Sequence, residues 1–128
     1  MSLPAQFSDW FQAKGWTAYP HQLEMVDRVS AGQSILLLAP TGAGKTLSGF
    51  LPSLIDLSHA PRTGLHTLYL SPIKALAVDI ARNLEAPISE MSLPISVETR
   101  TGDTPQTKRN RQRSAPPNML MTTPESLE

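Results

Sequence analysis

Lys45 and Thr46 close the octet Ala39-Pro40-Thr41-Gly42-Ala43-Gly44-Lys45-Thr46, a spacing suited to holding a polyphosphate. Glycine at 42 and 44 permits positive φ, so successive backbone N–H groups converge on one phosphate, and a helix opening near Lys45 adds the positive end of its dipole. The Lys45 ammonium is a mobile point charge for β- and γ-phosphates, and the Thr46 hydroxyl is placed to ligate Mg²⁺. Thr41, Gly42, Ala43, Gly44, Lys45 and Thr46 are therefore the candidate phosphate-binding residues, with Lys45 and Thr46 as the catalytic pair and Thr46 as the metal ligand. Against the pattern G-x-x-x-x-G-K-[ST], Ala39 stands where the first glycine would be, and Gly42 supplies the flexibility inside the loop.

Such a loop works only between a buried strand and a helix, and the flanking sequence supplies both. Ser34-Ile35-Leu36-Leu37-Leu38 reads as a continuous apolar strand, and an apolar-periodic helix follows from Lys45 to Leu57. Leu65 to Leu70 predicts a second strand, followed by a helix from Lys74 to Leu84 with Leu76, Ile80 and Leu84 on one stripe. Ile95 to Thr99 predicts a third strand, and Thr104-Pro105 predicts a polar helix capped by Thr104. Met119 to Thr122 reads as a fourth strand, and Thr123-Pro124-Glu125 repeats the helix-start chemistry. Strands alternating with helices at this spacing predict an α/β domain built on a parallel sheet. Before it, residues 1–33 hold five of the seven aromatic residues and predict two short helices that end near Gly15 and Gly32.

Composition narrows the classes. The chain has 128 residues and no cysteine, which excludes a disulfide framework, a thiolate metal site and a cysteine nucleophile within it. The longest wholly apolar run, Ile35 to Ala39, is far short of the roughly 20 residues of a membrane span. With no basic, apolar leader at the start, the reading is a cytoplasmic protein without a membrane partner. Net charge is zero, yet all the basic residues after position 99 fall between Arg100 and Arg113, which points to an anionic partner at one edge. Lys108, Arg109, Arg111 and Arg113 wrap around their helix, so a solvated face offsetting the helix dipole is favoured over direct contact with nucleic acid. His21, His59 and His66 show no metal-ligand spacing. The final residues start a helix without room to finish it, which suggests a piece of a longer chain.

Five segments carry a resemblance that covers nearly the whole chain. Ala39 to Thr46 resembles motif I of superfamily 2 helicases, and Gln22 behind Gly15-Trp16 and Tyr19-Pro20 resembles their Q motif. Ser71-Pro72-Ile73-Lys74-Ala75-Leu76 resembles motif Ia, Arg100-Thr101-Gly102-Asp103-Thr104 the TGDT segment, and Thr122-Thr123-Pro124-Glu125-Ser126-Leu127 motif Ib. Together they are most similar to the Lhr-like branch of DEXH helicases, including the DNA ligase-associated Lhr-type enzymes.

This resemblance implies an incomplete RecA-like P-loop domain over residues 34–128, preceded by a helical segment over 1–33 that carries Gln22. It implies part of an ATP-dependent, 3′-to-5′ translocating DNA helicase with ATP and Mg²⁺ as cofactors and a role in DNA repair, associated with the nucleoid. Gln22 would read the adenine edge. Ser71, Lys74, Thr101, Gly102, Thr122 and Thr123, at the carboxyl ends of parallel strands where open α/β sheets bind ligands, would track single-stranded DNA. The implied partners are the remaining helicase domains and repair proteins such as a ligase. ATP hydrolysis needs acidic residues that hold Mg²⁺ and orient water, normally a D-E-x-H set, and no Asp-Glu pair occurs in the chain. The chain alone is expected to bind nucleotide without hydrolysing it. An unrelated P-loop ATPase or kinase, and a stand-alone nucleotide- or nucleic-acid-binding module, are the alternatives.

Overall fold

The structure, a computed structural model, describes residues 3–38 and 45–126 in two units, residues 1–59 and 60–128. The first unit is helical. Helix α1 (Ala5–Ala13) buries Phe7, Trp10 and Phe11, the i, i+3, i+4 face its sequence predicts, and Trp10 and Phe11 both meet Trp16 edge to face. Helix α2 (Pro20–Ser30) starts with proline at its first position and packs on α3 (Lys45–His59). Both α1 and α2 stop as expected at Gly15 and Gly32, with φ of 73° and 79°. In each the glycine N–H and the next N–H bond back to the last turn, for example Trp16 N–H to the Phe11 carbonyl at 2.9 Å.

The Ser34–Leu38 strand is not formed among the described residues. The segment has no ladder partner, and Leu36 and Leu38 are each 83% exposed. An apolar run of this kind becomes a strand only when neighbours take up its backbone groups and side chains, so composition predicted the residue type and not the pairing.

The second unit is the sheet expected from its sequence. Strands β1 (Thr67–Leu70), β2 (Val97–Arg100) and β3 (Met119–Thr122) are all parallel in the order β1-β3-β2, with Thr67 and Val97 both opposite Met119. The crossover helices are α4 (Lys74–Glu90) and α5 (Gln106–Ser114), and α4 packs on β2 and β3. Central β3 is buried along its whole length.

Several boundaries differ from the sequence reading: β1 begins at Thr67 and not at Leu65, α3 runs to His59 and not Leu57, and three further differences have a local reason. Helix α4 runs six residues beyond Leu84, because its buried stripe is Ala77, Ile80, Leu84 and Pro87 while Leu76 is 40% exposed. Burying Pro87 on that stripe offsets the hydrogen bond its ring removes. Strand β2 starts at Val97 and not at Ile95, since the Ser96 N–H goes to the Asn118 side chain. Thr104 does not cap α5. Pro105 holds that position, and the Thr104 hydroxyl accepts from the Thr101 N–H at 2.9 Å instead.

Asn118 ties the amino ends of the strands together. Its Oδ1 accepts from the Ser96 N–H at 3.0 Å, and its Nδ2 donates to the carbonyls of Arg62 and Gly64 at 2.8 and 3.0 Å. The side chain is 5% exposed, so its loss orphans buried partners. Asn118→Ala should therefore lower unfolding stability by about 3 kcal/mol in urea titration, with the m-value unchanged. Ser92 closes α4 in the left-handed region at φ 52°, with its N–H and that of Leu93 bonded to Ser89 and Ile88 carbonyls. Ser92→Gly should raise the melting midpoint, by about 0.5–1 kcal/mol of stability, because glycine occupies that region without the Cβ clash.

Candidate nucleotide and nucleic-acid sites

In the first unit a cavity of 710 Å³ opens between the aromatic side chains Phe11, Trp16 and Tyr19, the Gln22 amide, and the first turn of α3 at Thr46 and Leu47. Gln22 is 3% exposed, and its Oε1 accepts from the Tyr19 N–H at 2.8 Å, the return bond of a capping box that fixes the amide at the start of α2. Tyr19 stacks on His21 with centroids 5.3 Å apart, yet it and Trp16 keep about half their surface open, at 47% and 50%. Exposed aromatic faces beside an oriented amide suit a planar heteroaromatic base. The cavity thus brings Gln22 and Thr46 together as two of the sequence-predicted cofactor residues. Thr41, Gly42, Ala43 and Gly44 lie outside the described residues, and the Lys45 backbone opens α3. Sequence reading assigned Trp16 and Tyr19 no role of their own beside Gln22. Their signal was position, six and three residues before Gln22, and both line the cavity that its amide borders.

In the second unit the carboxyl ends of the three strands deliver Ser71, Thr101 and Thr123 to one edge. Four of the predicted hydroxyl residues are buried there and point inward. Ser71, 1% exposed, bonds both the N–H and the carbonyl of Ile73, and so does not cap α4, whose N-cap is Ile73. Thr122 donates to the Arg100 carbonyl at 2.6 Å, Thr123 to the Ser126 hydroxyl at 3.3 Å, and the Thr101 hydroxyl accepts from the Asp103 N–H. Their side chains shape the turns. What faces out is Gly102 and Lys74, whose ammonium lies 3.2 Å from the Asp103 carboxylate. A 530 Å³ cleft beside them is lined by Lys74, Val78, Thr101, Thr104 and Lys108.

Of the α5 arginines, Arg113 is exposed as its spacing suggests, while Arg109 and Arg111 bond back to the protein. Arg109 turns back to donate to the carbonyls of Thr101 and Thr104. Arg111 pairs with Glu98 on β2 and donates to the Ala115 carbonyl at 3.1 Å. Gln112, 5% exposed, donates to Glu98 Oε1 at 3.0 Å and to the Thr99 carbonyl. Burial works to raise the Glu98 carboxyl pKa, but the hydrogen bonds from Arg111 and Gln112, with the charges of Arg111 and Lys108, outweigh it and hold the group below its ordinary 4.5. A helix whose mean surface is polar is thereby anchored to the sheet by side-chain bonds in place of an apolar stripe.

A parallel sheet wound by helices, with polar turns at its carboxyl edge, is the architecture of a RecA-like helicase domain. The DEAD/DEAH box helicase family model matches residues 19–128, and the chain belongs to that family. It is 41% identical over 132 residues to the Lhr helicase/probable uracil glycosylase of Mycolicibacterium smegmatis, covering 93% of this chain and 9% of that protein. It is 39% identical to ATP-dependent helicase Lhr-Core protein 2 of Thermococcus barophilus, covering 93% of this chain and 16% of the relative. Among solved structures, that of Mycobacterium smegmatis helicase Lhr bound to ssDNA and AMP-PNP superimposes with a TM-score of 0.87 at 39% identity, covering 97% of this chain and 17% of that one. The chain thus spans less than a fifth of the length of these relatives. No helix among the described residues is long and apolar enough to cross a membrane.

The lowered Glu98 pKa fixes the sign of a pH effect. Because the folded carboxyl titrates below the unfolded one, its contribution is fully present above about pH 4.5 and is lost as pH falls through the folded pKa. Glu98→Gln should flatten the fall of the thermal midpoint below pH 4.5 relative to the unsubstituted chain, read by circular dichroism between pH 3 and 7.

Proposed function

We propose that this chain is the nucleotide-binding part of the first motor domain of an Lhr-like, ATP-dependent DNA helicase. Residues 34–128 form its RecA-like portion, and residues 1–33 contribute the base-binding Gln22. The observation that carries this reading is the cavity in which Gln22, two open aromatic rings and Thr46 meet at the start of α3. Gln22 orients the adenine edge, Trp16 and Tyr19 bound its faces, and Thr41, Gly42, Ala43, Gly44 and Lys45 hold the phosphates. The Thr46 hydroxyl, on the exposed first turn, fits a hard cation such as Mg²⁺. Bound Mg-ATP supplies the phosphoryl group whose transfer drives such motors.

The carboxyl edge of the sheet is the proposed track for single-stranded DNA. Lys74 supplies charge, and Gly102 lets the backbone approach closely. Ser71, Thr101, Thr122 and Thr123 set the turns that face the strand, which suits phosphate tracking without base readout. The relative solved with ssDNA and AMP-PNP supports both halves of this reading. A repair role, a setting on the nucleoid in the cytoplasm, and partnership with further helicase domains and a ligase follow from the Lhr-like relationship as parts of the same proposal.

Calorimetric titration of Mg-ATP into the chain should show binding that Lys45→Ala reduces at least tenfold, since the lysine charge meets the phosphates directly. The pure chain, lacking an Asp-Glu pair, should show no turnover. Turnover abolished by Lys45→Ala would overturn the non-hydrolysing reading, and binding indifferent to Lys45 would overturn the site.

A further inference from the structure

Two arginines at the carboxyl edge of the sheet offer their guanidinium groups to backbone carbonyls. Arg100, the last residue of β2, is 9% exposed. Its Nε donates to the Ser126 carbonyl at 3.0 Å and its Nη1 to the Arg109 carbonyl at 3.4 Å. Arg109, on the second turn of α5, donates through Nη2 to the Thr101 carbonyl and through Nε to the Thr104 carbonyl at 3.2 Å. The two form a relay. Arg109 closes the Thr101–Thr104 turn, and Arg100 links the helix carrying Arg109 to the Thr123–Ser126 turn.

We propose that Arg100 and Arg109 are positioning residues for nucleic-acid binding, holding the Thr101–Thr104 and Thr123–Ser126 turns in one fixed arrangement without touching the strand. The inference rests on the reading of this edge as a nucleic-acid track. Apart from Lys74, the elements that make the proposed contacts, Gly102 and the turn backbones, carry no charge of their own, so their usefulness depends on being held in place. A planar guanidinium spans two carbonyls in fixed geometry. An ammonium at the same place is a point donor on a flexible stem, so lysine preserves charge without preserving the brace.

That difference gives the test. Binding of a fluorescein-labelled oligodeoxythymidylate is followed by anisotropy across a salt series for the unsubstituted chain, Arg109→Lys and Arg109→Gln. A positioning role predicts that both variants weaken binding alike, by about tenfold, the scale of one or two lost hydrogen bonds. It also predicts an unchanged slope of log affinity against log salt, because no phosphate contact is removed. Amide hydrogen exchange should quicken at residues 101–104 and remain slow in β3, and Mg-ATP affinity should not move. Arg100→Lys, at a more buried site, should quicken exchange at Ser126 as well, which keeps the relay testable from its other end.

Wild-type affinity in Arg109→Lys, together with a slope reduced by about 0.7 in Arg109→Gln, would show a direct phosphate contact and overturn the proposal. Unchanged affinity in both variants would overturn it as well. If the unsubstituted chain bound no oligonucleotide at all, the failure would lie in the nucleic-acid reading itself, and the proposal would fall with it.

Discussion

The side-chain amide of Asn118 is the interaction on which the sheet unit depends. Parallel strands cannot be joined by tight hairpins, so each enters the sheet from a separate connection, and nothing local sets its starting level. Asn118 supplies that missing reference. Its oxygen takes the backbone N–H just before β2, its nitrogen takes two carbonyls just before β1, and its own backbone carbonyl receives the N–H groups of His66 and Thr67. An amide has both donors and an acceptor, so one buried side chain serves both flanking connections. With the amino ends fixed in level, the ladder pairs Leu70 and Arg100 with the same residue, Thr122.

That common level places chemistry at the opposite edge. Ser71, Thr101 and Thr123 follow the ends of β1, β2 and β3, and their hydroxyls serve the turns rather than solvent. The edge is built in two layers, an inner one of hydroxyls and arginines that satisfy carbonyls and N–H groups, and an outer one of exposed backbone with Lys74. Polar residues that would be costly to bury alone are each bonded, so the layer confers shape without an apolar core beneath α5. On the first unit, the same economy is visible at Gln22, where one side chain both ends a row of open N–H groups and borders the base-sized cavity.

Much of this was legible in the residues. Periodicity and breakers located α1, α2, α4 and β3, because their signals are local: a stripe, a glycine in the left-handed region, an apolar quartet before Thr-Pro. The octet from Ala39 to Thr46 carries the strongest local spacing signal in the chain, because glycine and lysine at that spacing have few other uses, and residues 39–44 lie outside the described residues. What escaped were long-range choices. Arg109 reads as a helix-end cation, and only the fold shows the Thr101 and Thr104 carbonyls beside it. Thr104 has the residue type and position of a cap, yet a competing N–H at Thr101 claims its hydroxyl. The Ile35–Leu38 run has strand composition, but strand formation is a property of a pair. Asn118 carried no sequence signal at all, since its partners lie 22 and more residues away.

The centre of the sheet has a chemical consequence of its own. Met119 and Met121 on β3 are fully buried, at 0% exposure, and the chain contains no cysteine. Thioethers are therefore the sulfur groups available to peroxide, and these two meet oxidant only when β3 leaves its neighbours. Conversion of either to the sulfoxide would put a polar, chiral group into the most tightly enclosed strand and prevent its return. Oxidation of these two methionines is thus gated by the opening of the sheet, and each opening that is caught by oxidant is held open until the sulfoxide is reduced.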